Sequence, residues 1–325
     1  MAERVRVFAP ASISNIGPGF DVLGMALNEP GDFVDAEISP AASGVEIVEI
    51  TGDGGLLSRS ASENVAAIAA AAVLGRFSAS MAEERALAGR GFFGGVRLWV
   101  HKQMPLASGM GSSAASSVAG AFAVNELLGR PFTRLELLPC ALEGERAASG
   151  AAHADNVAPS LLGGAVLVRS YDPLEVVQLP TPPGLVIVVV RPHCSVATAA
   201  ARAIIRDCCF PIPEVVANLG NLGALVAALY RGDLPLLGRA IEDRLVEPRR
   251  VHLIPGFAQV RTAALTAGAL GCSISGAGPS VFAMAEKETA HDVGAAMRAA
   301  FAAAGLESDA YIGGVNSEGA RRIAT

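Results

Sequence analysis

The sequence of 325 residues predicts an α+β fold. Strand patterns and helix patterns are mixed along the chain without a regular strand–helix–strand repeat, which disfavours a doubly wound sheet. Apolar residues make up 51% of the chain and charged residues 17%, a composition that favours well-formed cores over disorder. The length allows one large domain and fits two closely packed domains better.

The first half of the chain combines short strands with alanine-rich helices. Apolar residues at alternate positions indicate the strands. Ser60 and Glu63 form a capping box ahead of the first helix, Thr133 caps the third, and Gly150 ends it. The predicted strands lie at 5–8, 33–38, 45–50 and from 96, and the predicted helices at 60–76, 112–128 and 133–150.

A proline-rich link at 179–183 is the clearest break in composition. It predicts one domain at 1–180 and a second at 181–325. Apolar strands flank the link, and helical patterns dominate the region after it. The predicted strands lie at 163–169, 185–190, 272–275, 281–285 and 310–312, and the predicted helices at 197–206, 214–230, 234–245, 256–268 and 290–303.

Charge and cysteine usage exclude several classes of function. The net charge of −6 comes from interspersed acids and bases, so no basic patch indicates a nucleic-acid partner. Five cysteines without a Cys-x-x-Cys pair indicate a reduced, cytoplasmic protein and no zinc site. The longest apolar runs, 66–74 and 185–190, are too short to cross a bilayer, and no secretion signal is expected at the N-terminus.

The most informative segment is a loop of small residues at 105–117, between a predicted strand and a predicted helix. Gly109 and Gly111 let the backbone approach a ligand closely, and the helix start offers free N–H groups at the positive end of its dipole. This is the chemistry of a nucleotide phosphate cradle. The spacing fits neither a Walker A loop nor the dinucleotide-binding glycine pattern. The alternative is a helix start capped by serine after a tight turn.

Two further glycine-rich segments carry polar groups. The first, at 9–25, places Asn15 and Asp21 in a loop between strands, and the second spans 271–280. Either could be an ordinary turn. In this order along the chain, however, the three segments resemble the three motifs of the GHMP kinases, and the resemblance covers essentially the whole sequence.

That resemblance implies a two-domain GHMP kinase fold. The N-terminal, ATP-binding domain is expected to be like domain 2 of ribosomal protein S5, and the C-terminal domain ferredoxin-like, with the active site between them. It implies ATP as cofactor, held by Pro105, Leu106, Ala107, Ser108, Gly109, Met110, Gly111, Ser112, Ser113, Ala114 and Ala115.

Magnesium is the second cofactor that the resemblance implies. By position, Glu145 resembles the carboxylate that the family links to Mg²⁺, with Ser112 or Ser113 as the hydroxyl partner. Hard oxygen ligands of this kind suit Mg²⁺, which also keeps several waters. The alternative for Glu145 is a solvated face of a helix.

The first motif is most similar to that of the branch of the family that phosphorylates the hydroxyl of L-homoserine on the way to threonine. Two arginine forks suit a carboxylate, and an aspartate suits an ammonium group. The substrate-binding residues that this resemblance implies are Asn15, Asp21, His153, Asn156, Arg202 and Arg250. Arg249 is adjacent to Arg250, and the family segment alone selects the latter.

Asn156, Glu145 and Ser112 are the expected catalytic residues. Several sister kinases carry an aspartate at the position of Asn156, and an amide cannot accept a proton as a carboxylate does. The departure favours catalysis by positioning and charge neutralisation, with the proton passing to a γ-phosphate oxygen. Asp155 and Asp21 are less favoured candidate bases.

Two alternatives stay open at this stage. One is a GHMP kinase for another small alcohol, of the shikimate or mevalonate type, and the other is a catalytically silent ATP-binding regulator. The resemblance also implies a homodimer, whose interface the sequence does not show.

Overall fold

A computed structural model describes residues 4–88 and 94–324 of the chain. The first half forms β1 (Arg4–Ser14), β2 (Leu23–Ser39), β3 (Gly44–Thr51), α1 (Val65–Ala88), β4 (Gly95–His101), α2 (Ser112–Leu127), α3 (Arg134–Ser149), α4 (Ala154–Leu162), β5 (Ala165–Tyr171) and β6 (Leu174–Leu179). The second half forms β7 (Leu185–Pro192), α5 (Thr198–Arg206), α6 (Ile212–Arg231), α7 (Leu234–Ala240), α8 (Glu247–Arg250), α9 (Phe257–Thr266), β8 (Gly271–Ile274), β9 (Val281–Glu286), α10 (Ala290–Ala303), β10 (Ser308–Gly314) and β11 (Arg321–Ile323).

The first sheet has seven strands and contains the N-terminal half of the chain together with β11. Its main path runs β11-β1-β2-β4-β3, and β5 pairs with both β2 and β6. All of its pairings are antiparallel except that of β3 with β4. Helices α2 and α4 pack against β1 and β2, so the start of α2 lies beside the ends of these strands.

Small residues let α1, α2 and α3 approach one another closely. Every residue of α2 except Ser113 is buried, and most are alanine, serine or glycine. A Cβ atom at Gly120 would lie 2.2 Å from the carbonyl oxygen of Ala66 on α1, and one at Gly144 would lie 2.4 Å from that of Val65. The high alanine content therefore serves tight helix packing under the sheet.

We expect Gly120→Ala to destabilise the protein by about 1–3 kcal/mol, because the added methyl group would overlap a backbone oxygen that cannot move independently. Gly75→Ala is the matched control. It lies on α1 with no atom within 4 Å of its added Cβ, so alanine is expected to stabilise the helix slightly. Thermal unfolding measures both, and equal effects would contradict this packing argument.

The second sheet is antiparallel, in the order β10-β7-β9-β8. Its strands and the helices around them follow the order strand–helix–strand–strand–helix–strand, with α9 and α10 packed against the sheet. This is the ferredoxin-like arrangement expected for the C-terminal domain. The buried valines Val188, Val189 and Val190 explain the strong strand pattern of β7.

Most predicted elements are confirmed, with three kinds of correction. Helix α1 begins at Val65, one residue after Asn64, whose side chain accepts the N–H of Ala66, so the capping box at Ser60 is wrong. Strands β1 and β2 are longer than predicted, because they continue through the polar and glycine-rich segments. The short elements β6, α4, α8 and β11 were not predicted. The boundary at 180/181 stays a prediction.

Helix α6 is the one helix of the described residues that is long and apolar enough, by length and composition alone, to cross a membrane. Only 22% of its apolar window is buried. Its side chains Asn218 and Asn221 donate hydrogen bonds to the carbonyl groups of Pro18 and Glu242. These two polar contacts join the helix to the rest of the chain.

Candidate active site

A cavity of about 500 Å³ lies where the three glycine-rich segments meet. Its walls come from the loop before α2, the ends of α3 and α4, the segment between β1 and β2, and the helices α5 and α8. Both sheets therefore contribute to one cleft. The predicted residues that line it are Leu106, Ala107, Ser108, Gly109, Gly111, Ser112, Ser113, Glu145, His153, Asn156, Asn15, Asp21, Arg202 and Arg250.

The loop before α2 presents bare backbone to the cavity. Gly109 and Gly111 have φ values of 78° and 66°, which other residues rarely adopt. Gly111 is the N-cap of α2, and no side chain caps this end of the helix. The alternative of a serine-capped helix is therefore wrong, and the first N–H groups of α2 are available to an anion. Met110, Ala114 and Ala115 are fully buried in the core, and they and Pro105 lie outside the lining.

The other two glycine-rich segments hold this loop in place. The Ser275 hydroxyl donates to the carbonyl oxygen of Gly109 at 2.6 Å, and a Cβ on Gly109 would lie 2.6 Å from the carbonyl oxygen of Ser275. Asn15 Nδ2 donates to the carbonyl oxygen of Gly276 at 2.7 Å. The three segments thus form one structural unit, although 261 positions separate Asn15 from Gly276.

A hydrogen-bonded network of ionisable side chains lines the cavity. Arg202 donates two hydrogen bonds of 2.9 Å to the carboxylate of Asp21 and one of 2.8 Å to His153 Nε2. Because a guanidinium only donates, Nε2 of His153 accepts, and Nδ1 carries the hydrogen that reaches Glu145 Oε1 at 3.0 Å. Glu145 is 4% exposed, so the alternative of a solvated helix face is wrong.

Arg250 is a buried cation beside this network. Its Nε donates to the carbonyl oxygen of Ala201 at 3.0 Å, and its guanidinium carbon lies 5.0 Å from the centre of the Phe20 ring. Burial lowers the pKa of Arg250 below its ordinary value, and the negative charge of Asp21 opposes this decrease. Within residues 4–88 and 94–324, no carboxylate forms an ion pair with it. Arg249 instead stacks on Phe210, outside the cavity.

Glu247 fixes the short helix α8 that carries Arg250. Its carboxylate accepts hydrogen bonds from Ser273, from the backbone of Ile274 at 3.3 Å and from Arg261 at 3.0 Å. Burial raises the pKa of Glu247, and the hydrogen bond from Ser273 opposes that rise. These contacts join the Glu-Pro-Arg-Arg segment to the strand that leads into the third glycine-rich segment.

Asn156 lies directly against the loop before α2. Its Oδ1 accepts a hydrogen bond of 3.0 Å from Ser12, and its Nδ2 donates one of 2.9 Å to Ser14. A Cβ on Gly111 would lie 2.9 Å from Asn156 Oδ1. The amide is therefore held in one orientation at the start of α2, where it can position a group and cannot take up a proton.

Asp155 is buried next to Asn156. Burial and the nearby charge of Asp21 raise its pKa to about 7, and the interactions with His153 and Ser14 oppose the rise. A folded-state pKa above that of an unfolded aspartate means that this group costs stability once it ionises. The cost grows as the pH rises from about 4 to about 7 and is constant above that range.

We therefore expect Asp155→Asn to raise the melting temperature by roughly 2–4 °C at pH 8, and by less as the pH is lowered to 5. Asparagine keeps an acceptor for the Ser14 hydroxyl and never ionises. Asp172→Asn, in the exposed turn between β5 and β6, is the control and should change little at either pH. A gain that does not depend on pH would contradict the assigned pKa of Asp155.

Lys102 is the main lining residue that the motifs did not reveal. Its ammonium group pairs with Asp32 and donates to the Ser112 hydroxyl at 2.7 Å and the Ser116 hydroxyl at 2.8 Å. Burial lowers the pKa of Lys102, and the adjacent Asp32 charge opposes that effect. One signal was available: Lys102 is one of two lysines in the chain and lies three residues before Pro105. Phe20, next to Asp21, was also missed as a lining residue.

The chain matches the family model of the GHMP kinases N terminal domain over residues 69–164 and that of the GHMP kinases C terminal over residues 225–303. It belongs to the GHMP kinase family and uses ATP as phosphoryl donor, as the family does. Similar curated proteins are homoserine kinases. That of Chlorobium phaeobacteroides is 45% identical over 99% of this chain and 100% of its own, and that of Pyrococcus abyssi is 41% identical over 94% and 96%.

Solved structures agree with these relatives. The crystal structure of homoserine kinase from Cytophaga hutchinsonii superposes with a TM-score of 0.91 at 47% identity, covering 99% of this chain and 98% of that one. The structure of L. major mevalonate kinase in complex with R-mevalonate has a TM-score of 0.70 at 18% identity over 97% and 99% of the two chains, which shows the shared fold alone. The two-domain GHMP kinase fold is thus confirmed.

Proposed function

We propose that this protein transfers the γ-phosphoryl group of ATP to the hydroxyl group of L-homoserine and forms O-phospho-L-homoserine. The supporting observation is the charged set of Asp21, Arg202 and Arg250 in one cleft with the bare N-terminus of α2. A substrate with both a carboxylate and an ammonium group complements this set. Relatives named homoserine kinase over nearly the full chain support the same substrate.

Arg250 is the residue best suited to the substrate carboxylate, because its charge is buried at the cavity without an ion-pair partner among the described residues. Arg202 is already paired with Asp21, and we propose that both share the substrate: Arg202 completes the grip on the carboxylate while Asp21 receives the ammonium. Asn15 holds the backbone of Gly276, and His153 holds the side chain of Arg202. Both contacts shape this end of the cleft.

The residues present fit a magnesium ion that is held mainly by nucleotide phosphates. Residues 4–88 and 94–324 contain no group of three or more His, Cys, Asp or Glu side chains that could hold a metal. Glu145 supplies one buried carboxylate and Ser112 one hydroxyl at the same cavity. One or two hard oxygen ligands plus phosphate and water are typical of Mg²⁺. When bound, the ion would neutralise charge on the transferring phosphoryl group.

Positioning carries the rest of the proposed mechanism. The N–H groups at the start of α2 hold the phosphates, and the fixed amide of Asn156 orients the acceptor hydroxyl towards them. Both carboxylate oxygens of Asp21 already accept hydrogen bonds from Arg202, so we assign the proton of the hydroxyl to a γ-phosphate oxygen. Asp155, whose pKa is about 7, is the alternative acceptor.

The test is turnover of ATP with a panel of acceptors: L-homoserine, shikimate, mevalonate and galactose. ADP release is measured in a coupled assay, and the product is identified by phosphorus NMR. We expect turnover with L-homoserine to exceed that with the other three by at least about 100-fold, since a substrate that lacks an ammonium group does not complement the carboxylate of Asp21. Preference for another alcohol, or ATP binding without turnover, would overturn the proposal. Cytoplasmic location and homodimer formation remain predictions.

A further inference from the structure

A fully buried ion pair lies under the loop before α2. The side chains of Lys102 and Asp32 are 1% and 0% exposed, yet Lys102 also lines the cavity. Buried ion pairs contribute little net stability, because desolvation of both charges offsets their attraction. Apolar residues of similar size would fill this space about as well. The pair therefore calls for an explanation beyond packing.

The contacts of Lys102 fix the hydroxyl group of Ser112. An ammonium group only donates, so the oxygen of Ser112 must be the acceptor of the 2.7 Å bond. The backbone carbonyl oxygen of Ser112 lies 3.0 Å from the same nitrogen, so the three N–H groups of Lys102 are shared among four oxygens and two of these contacts set the place of Ser112 in the first turn of α2. The hydroxyl hydrogen and the second lone pair of Ser112 are left for the cavity that Ser112 lines.

Ser116 and Asp32 fix Lys102 in turn. The Ser116 hydroxyl accepts from Lys102 at 2.8 Å and donates to Asp32 Oδ2 at 2.8 Å. The other carboxylate oxygen of Asp32 accepts the backbone N–H groups of Gln103 and Met104, at 3.0 and 3.2 Å. One carboxylate thus joins the chain that enters the loop to the helix that leaves it.

We propose that Asp32, Lys102 and Ser116 are positioning residues that orient the Ser112 hydroxyl towards the metal-bound nucleotide. The inference deepens the proposed function and rests on it for the nature of the ligand. None of the three needs to touch the reacting atoms. Their effect reaches the reaction through Ser112, which makes the inference testable by a double-mutant cycle.

In the cycle, Ser116→Ala is combined with Ser112→Ala. We expect Ser116→Ala to lower kcat about tenfold on its own, as loss of a supporting hydrogen bond typically does. In the Ser112→Ala background the same substitution should change kcat less than about twofold, because the group it positions is gone. Ser117→Ala is the matched control: this buried neighbour on α2 bonds to Ala141 and lies outside the cavity lining, so it should leave kcat unchanged.

A second readout does not depend on turnover. Calorimetry measures the affinity for ADP with and without Mg²⁺. In the parent protein we expect Mg²⁺ to increase the affinity for ADP. Ser116→Ala should reduce this Mg²⁺-dependent increase in ADP affinity and leave the affinity for metal-free ADP unchanged. Asp32 and Lys102 are tested together as Asp32→Asn with Lys102→Met, which leaves no unpaired buried charge. We expect this double variant to fold, as judged by its melting temperature, and to lose the Mg²⁺-dependent increase in ADP affinity.

Two results would overturn the inference. One is that Ser116→Ala lowers kcat by the same factor in the parent and in the Ser112→Ala background. The other is that the Mg²⁺-dependent increase in ADP affinity is unchanged in the charge-neutral double variant. Failure of the proposed function would be distinct. In that case the parent protein would not phosphorylate L-homoserine, while ADP binding would still report on the positioning residues.

Discussion

Replacing Glu145 by glutamine is expected to lower kcat by about 100- to 1,000-fold with little change in the KM for L-homoserine. The substitution neutralises a buried carboxylate that lines the cavity together with Ser112 and Ser113, and charge stabilisation of this kind is usually the largest single contribution to phosphoryl transfer. The amide oxygen of glutamine still accepts the hydrogen from His153 Nδ1, so Arg202 and Asp21 should keep their places.

Steady-state kinetics at several Mg²⁺ concentrations test this prediction. The variant should need more Mg²⁺ to reach its residual activity, because the carboxylate that we propose as a ligand of the ion has lost its charge. Glu143→Gln is the control, since Glu143 lies exposed on the same helix and outside the cavity. A kcat within about threefold of the parent value in Glu145→Gln would show that Glu145 holds His153 and not the metal.

The sequence reveals those parts of the site that are encoded within a single short segment. The loop before α2 was predictable because Gly109 and Gly111 are needed at positions where a side chain would collide with neighbouring residues. Arg250 was selected over Arg249 by resemblance, and the structure supplies the physical reason: one faces the cavity and the other stacks on Phe210.

The parts that stayed hidden depend on contacts between distant segments. Asp32 and Lys102 are 70 positions apart, and nothing local marks either as buried. Most lysines lie at the surface, so the residue type alone does not indicate the burial of Lys102. In the same way, β11 joins the first sheet only because β1 offers a free edge to a segment more than 300 residues later. Helix α4 is short, and its pattern was too brief to separate from a turn.

Replacing Arg250 by alanine should raise the KM for L-homoserine by about 100-fold or more, with the KM for ATP nearly unchanged. Loss of a buried, charge-assisted contact to a carboxylate costs about 2–5 kcal/mol, and much of that penalty falls on the substrate charge left unpaired. Arg250→Lys should recover only part of the loss, because an ammonium group cannot make two parallel bonds to a carboxylate. Initial rates over a range of L-homoserine concentrations give the KM of each variant.

The assignment of the carboxylate depends on a comparison of substrates. With 3-aminopropan-1-ol, which is L-homoserine without its carboxylate, the parent and Arg250→Ala should have similar kcat/KM values, because the contact that the substitution removes is absent from both. Arg249→Ala should behave like the parent with either acceptor, since its side chain stacks on Phe210. If Arg250→Ala were equally impaired with both acceptors, Arg250 would act by holding Phe20 and the backbone of Ala201, and the carboxylate would have to bind at Arg202.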